Sequence, residues 1–156
     1  MKSRPQGTAE EFFQKGKNET LAGHYRDAVE NLSRALELSP GHVEALLERG
    51  KARTAMKDFK QALADFNKVI ALQPKNALAY QRRAKVKDFL KDYDGALSDL
   101  AVAVHLQPDL AIAYYERALI KIMAKKDSRG AEADLFRAGE LGLTIAYDAI
   151  RQLGAG

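Results

Sequence analysis

The sequence predicts an all-α fold built from stacked helical hairpins, and three observations carry that prediction. Pro40, Pro74 and Pro108 stand 34 residues apart, preceded by ALELSP, VIALQP and AVHLQP. Tyr25, Phe59 and Tyr93 keep the same interval, as do Ala28, Ala62 and Ala96, and Leu32, Phe66 and Leu100, so the period belongs to a whole unit and not to one residue type. Inside each unit, apolar and small residues recur at three- and four-residue steps over two stretches of about a dozen residues, which is the spacing of a helix face and not the alternation of a strand.

The elements follow in order. Residues 1–7 are expected to form a disordered N-terminal segment and 8–156 one repeat domain, with units at about 9–42, 43–76, 77–110 and 111–143 and a capping helix at about 144–153. Thr8 and Glu11 have the spacing of a capping box for the first helix. Hairpin turns are predicted at Gly23-His24, Lys57-Asp58 and Lys91-Asp92, and each proline ends a second helix because its ring cannot continue one. Asn76 is placed to cap the first helix of the third unit. In the fourth unit KKDSRGAEAD carries one extra residue at the turn, and Gly142-Leu143 stands where the proline would be. Gly142 is suited to a left-handed helix end. The segment TIAYDAIRQL then echoes ALAY at 77 and AIAY at 111, which predicts a solitary last helix covering the apolar face of the final hairpin.

Charge repeats as well. Arg49, Arg83 and Arg117 in first helices accompany Asp65, Asp99 and Asp134 in second helices, whereas the first unit has Lys15 and Asn31. Because both members change together, an arginine–carboxylate contact between helices is predicted, the pairing in which a planar guanidinium can bond twice.

Composition narrows the function classes. Of 156 residues, 46% are hydrophobic and 29% charged, with 4 prolines and no cysteine, which fits a folded helix-rich chain and excludes disulfides, thiolate metal sites and cysteine nucleophiles. The opening run MKSRPQGTAEEFF lacks an apolar stretch of signal-peptide length, and no run of about 18 apolar residues occurs anywhere. A cytoplasmic protein without membrane contact is therefore expected, with export left open if a leader has been removed. His24, His42 and His105 are dispersed and read as solvated or loop side chains, so no metal is expected. Phosphate loops, zinc-protease motifs and hydrolase elbows are missing; neither cofactor nor catalysis is expected. The net charge of +4 favours acidic partners modestly, but basic residues interleave with 21 acidic ones and no regular aromatic platform accompanies them, so nucleic acid is not the expected partner.

On these residues nearly the whole chain resembles the tetratricopeptide-repeat family. The family's large first-helix place corresponds to Phe12, Leu46, Tyr80 and Tyr114, and its small one to Gly16, Gly50, Ala84 and Ala118. Its small second-helix places correspond to Ala28 and Ala35, Ala62 and Val69, Ala96 and Ala103, and Ala131 and Ala138. The resemblance implies a right-handed superhelical solenoid of about four units plus a C-terminal capping helix, with a concave groove lined by first helices that holds an extended peptide. It thereby implies a protein-interaction module whose groove residues include Phe13, Lys17, Leu47, Lys51, Gln81, Arg82, Lys85, Phe89, Tyr115, Leu119 and Met123.

Lys17, Lys51 and Lys85 share one place in successive units, so a cationic ladder suited to an acidic segment is expected, tempered by Glu10 and Glu44. Duplication of an ancestral solvated lysine accounts for the same ladder without a ligand. Beyond it the surface turns apolar through Ile112, Tyr115, Leu119, Ile122 and Met123, with Phe89 adjoining, which suits hydrophobic anchors following acidic residues. The same apolar end is the basis for an alternative, self-assembly into an oligomer, and an RNA-binding helical repeat is a further alternative. One subfamily grips chaperone carboxy-terminal tails with a two-carboxylate clamp; its positions fall here at Phe13, Lys17, Glu48, Leu78 and Arg82. Only Arg82 agrees, so tail binding of that kind is not expected.

Overall fold

Helices form wherever the three-and-four spacing places them. A computed structural model describes residues 7–124 and 126–154, and among these there are nine helices and no strand. They are α1 (Ala9–Ala22), α2 (Tyr25–Leu38), α3 (Val43–Ala55), α4 (Phe59–Leu72), α5 (Ala77–Phe89), α6 (Tyr93–Leu106), α7 (Ala111–Met123), α8 (Ser128–Glu140) and α9 (Ile145–Gly154). The expected N-terminal segment lies, apart from Gly7, outside the described residues. The chain divides at Pro74–Lys75 into two compact units, one holding the hairpins α1–α2 and α3–α4 and the other α5–α6, α7–α8 and α9.

Local chemistry sets the helix ends. At α1 the Thr8 hydroxyl accepts from the Glu11 N–H at 3.2 Å while the Glu11 carboxylate accepts from the Thr8 N–H at 2.8 Å, the reciprocal pair that satisfies two orphan donors. Ser39, Gln73 and Gln107 close the second helices with φ of −139°, −134° and −135°, the extended conformation that a following proline imposes. The hairpin turns need a left-handed residue: Gly23 supplies it at φ 80°, but Lys57 and Lys91 adopt it at φ 62° despite their Cβ atoms. Gly142, at φ 97°, ends α8 as its place after the helix predicts.

In the first unit the core is Leu32, Leu46 and Phe66 against the fully buried Ala28, Ala35, Ala62 and Val69. Close approach is obligatory where the small first-helix residues fall, since a methyl group at Gly50 would sit 2.6 Å from the Phe66 ring and one at Gly16 2.6 Å from Leu32 Cγ. In the second unit one cluster joins Ala84, Ala96, Leu100, Ala103, Val104, Ala113 and Ile120, with Tyr80 and Tyr114 packed on it. A further cluster of Ala118, Ala131, Leu135 and Ala138 takes in Ala146 of α9, with Ala149 and Ile150 beside it. The last helix thus packs on α7–α8 through these three residues.

Candidate functional site

The Arg–Asp pairs are real and lie within each hairpin. Arg49 Nε and Nη2 donate to the two Asp65 oxygens at 3.1 and 2.7 Å, and Arg83 does the same to Asp99 at 2.8 and 2.6 Å. Arg117 repeats the fork on Asp134, with Nε at 2.8 Å. All three aspartates are buried, at 3%, 4% and 5% exposure, so each carboxylate depends on its partners for solvation. A second cation one helical turn further on was not anticipated from sequence. Arg53 Nη1 reaches Asp65 at 2.6 Å, Lys87 Nζ reaches Asp99 at 2.8 Å, and Lys121 Nζ reaches Asp134 at 2.9 Å. Arg53, Lys87 and Lys121 are themselves 34 residues apart, which was the available signal.

The first hairpin is wired the other way. Its buried Asn31 donates Nδ2 to Glu19 Oε2 at 2.9 Å, and Glu19 occupies the register of Arg53, Lys87 and Lys121. The hydrogen bond that the Arg83 guanidinium donates to Asp99 is the main cause holding it above its ordinary value, and the bond to Asp134 does likewise for Arg117. A raised arginine pKa stabilises the fold at every pH below the ordinary guanidinium range and ceases to do so only as pH climbs through the folded value, so this contribution is constant near neutrality.

The residues singled out as groove-facing distribute as follows. In the first unit Phe13 is buried, its ring centroid 4.6 Å from that of His42, and the exposed Lys17 holds its ammonium 5.9 Å from the Phe13 ring centre. Leu47 and Lys51 are half-buried, with Lys51 Nζ 3.6 Å from Glu48. In the second unit Gln81 is 2% exposed and donates Nε2 to Glu116 at 2.6 Å, and the other Glu116 oxygen lies 3.3 Å from Lys85 Nζ. Arg82, Tyr115 and Leu119 are half-buried, whereas Phe89 and Met123 are each 50% exposed. The Lys85 ammonium sits 5.8 Å from the Phe89 ring centre, so a cation and an exposed apolar surface adjoin.

His42 corrects the sequence reading. It is no solvated loop side chain: its side chain is 17% exposed, and Nδ1 accepts from the Ala45 N–H at 3.3 Å, capping α3. Glu10 of α1 lies 3.6 Å from Nε2, and Glu44 lies 3.3 Å from Nδ1. The Glu10 carboxyl is held below its ordinary value chiefly by the Gln14 amide, with His42 and Lys17 adding to the effect. Among the described residues no group of three or more histidine and carboxylate side chains is arranged to hold a metal ion, and no helix is long and apolar enough to cross a membrane.

Antiparallel helix pairs repeating at 34 residues around small second-helix positions define a helical-repeat protein of the interaction-scaffold class, whose members are generally not enzymes. Residues 21–77 match the family profile described as tetratricopeptide repeat. No curated protein matches it. Among solved structures, the thermophilic TPR protein TTC0263 from Thermus thermophilus is similar at TM-score 0.81 and 22% identity, over 94% of this chain and 81% of that one. MamA from Desulfovibrio magneticus RS-1 is similar at TM-score 0.79 and 22% identity, over 89% and 78%. The first TPR of Spaghetti (RPAP3), solved bound to the HSP90 peptide SRMEEVD, is similar at TM-score 0.72 and 24% identity, over 76% and 94%. At these identities the likeness shows the fold.

Proposed function

We propose that this protein binds an extended segment of another protein, acidic in one stretch and apolar in the next, along the exposed faces of its first helices. The observation that carries the reading is the half-exposed Phe89 and Met123 in the second unit, with Lys85 beside the former. Large apolar and aromatic side chains that a partner can bury dominate interface energy, and Phe89 and Met123 are exposed enough to serve as such anchors. Lys17 and Lys51 offer cations to an acidic stretch on the first unit, though Glu48 near Lys51 and Glu116 near Lys85 mean that a ligand carboxylate competes with an internal one. The two-carboxylate clamp is not part of this proposal, because Phe13 is buried and Glu48 puts a negative charge where the clamp requires a donor.

The test is a fluorescent peptide of glutamates followed by leucine and phenylalanine, titrated into wild type and into the combined Lys17→Gln, Lys51→Gln and Lys85→Gln variant. Loss of about tenfold or more in affinity supports the reading. Equal affinity removes the lysines from the site, and retention of random RNA with a steep salt dependence replaces the partner class altogether. Self-association is the second reading, favoured by the same exposed Phe89 and Met123. Sedimentation decides it: a dimer that Met123→Asp dissociates makes the apolar surface an oligomer interface.

A further inference from the structure

Residues 42, 76 and 110 precede three first helices at the same register, and they are His, Asn and Leu. Asn76 caps α5 by accepting the Ala79 N–H at 3.0 Å, and His42 caps α3 by accepting the Ala45 N–H at 3.3 Å through Nδ1. Only an unprotonated ring nitrogen has the lone pair to accept, so the cap selects the neutral imidazole with its proton on Nε2. Yet Nδ1 also lies 3.3 Å from Oε2 of the largely exposed Glu44, an acceptor that Nδ1 can meet only as a protonated donor. The ring is therefore held between two arrangements, a cap when neutral and an ion pair when charged.

Its surroundings are specified on every side. Phe13 packs on the ring at 4.6 Å between centroids, and the His42 N–H donates to the Ser39 carbonyl at the end of α2 at 3.1 Å. The charged groups facing it are Glu10 from α1 and Glu44 from α3, and Lys17 of α1 acts in turn on the Glu10 carboxyl.

We propose that His42 is a proton-operated switch that exchanges the α3 cap for ion pairs to Glu44 and Glu10 and so resets the charge beside Lys17. With the ring neutral, the negative charge of Glu10 beside that lysine and that of Glu44 on the far side of the ring are uncompensated and repel an acidic ligand. With the ring protonated, Nδ1–H turns from the Ala45 amide to Glu44, Nε2–H holds Glu10, and the local charge becomes less negative by one. The coupling rests on the reading of Lys17 as part of the acidic-segment surface; the cap exchange does not. Affinity for an acidic segment then rises about threefold to tenfold as pH falls through the imidazole range, a span in which the ligand's own carboxylates stay ionised.

His42→Asn is the control that the repeat itself suggests, because asparagine caps the same register at 76 and does not titrate there. By NMR, the Ala45 amide of wild type is expected to shift and to lose exchange protection along the His42 ring titration, and the amide of His42→Asn to stay constant. Between pH of about 7.5 and 6, the glutamate-leucine-phenylalanine peptide should tighten on wild type and not on the variant. An Ala45 amide indifferent to the His42 titration overturns the switch, and an equal pH response in both proteins overturns its coupling to binding. If the peptide binds at no pH, the surface reading fails and the coupling with it, while the Ala45 amide still decides whether the cap exchanges.

Discussion

The first hairpin and the three that follow share a backbone period but not an electrostatic one. In α3–α4, α5–α6 and α7–α8 a buried aspartate on the second helix is held by two cations from the first. In α1–α2 the acid has crossed over: Glu19 stands on the first helix, and the neutral Asn31 on the second donates to it. Small residues at Gly16, Gly50, Ala84 and Ala118, and at the alanines opposite, are common to all four hairpins. The apolar register therefore sets the fold, and the polar layer is free to change as long as every buried acceptor finds a donor.

Removing the acid is the largest way to break that equivalence. Asp99→Ala strands Arg83 and Lys87 without their carboxylate and should cost about 3–5 kcal/mol, whereas Asn31→Ala loses the hydrogen bonds to Glu19 and to the Asp27 carbonyl and should cost about 1–3 kcal/mol. Urea unfolding of the two variants beside wild type measures both. Equal losses would mean that the charged triads contribute no more than the neutral amide of the first hairpin.

Exchanging the wiring sharpens the same point at smaller amplitude. Asn31→Asp places a second carboxylate beside Glu19, where the Asn31 Nδ2 now lies 2.9 Å from it, and like charges so confined should destabilise by about 1–3 kcal/mol. Adding Glu19→Arg installs the residue found at position 53 and should recover most of the loss. In a double-mutant cycle the coupling must then be favourable; a null coupling would show that the first hairpin cannot accept the later wiring.

What could be read in the sequence divides along this line. The period, the helix ends at the prolines, the capping box at Thr8 and the Arg–Asp pairs were all legible, because each is a local rule or a coincidence of two residue types at one interval. The second cation was harder, because the residue type changes from arginine at 53 to lysine at 87 and 121 and the first hairpin has an acid there. His42 looked like linker because it falls between two helices, although its alignment with Asn76 marked it as a cap. The burial of Phe13 and Gln81 was beyond a reading of single helix faces, since it is made by residues of the following first helix, His42 just before α3 and Glu116 in α7.

The turns give the smallest contrast and the cleanest one. Gly23, Lys57 and Lys91 occupy one register, all left-handed, and only the glycine does so without a clash between Cβ and the following carbonyl. Lys57→Gly should therefore stabilise the protein by about 0.5–1 kcal/mol after the entropy of the freer unfolded chain is deducted, and Gly23→Lys should destabilise it by a similar amount. Lys91→Gly should gain less than Lys57→Gly, because the Lys91 ammonium lies 5.9 Å from the Tyr93 ring centre and that attraction goes with it. Thermal unfolding ranks the three variants, and a Lys57→Gly protein less stable than wild type would show that the left-handed lysine is held by contacts stronger than its strain.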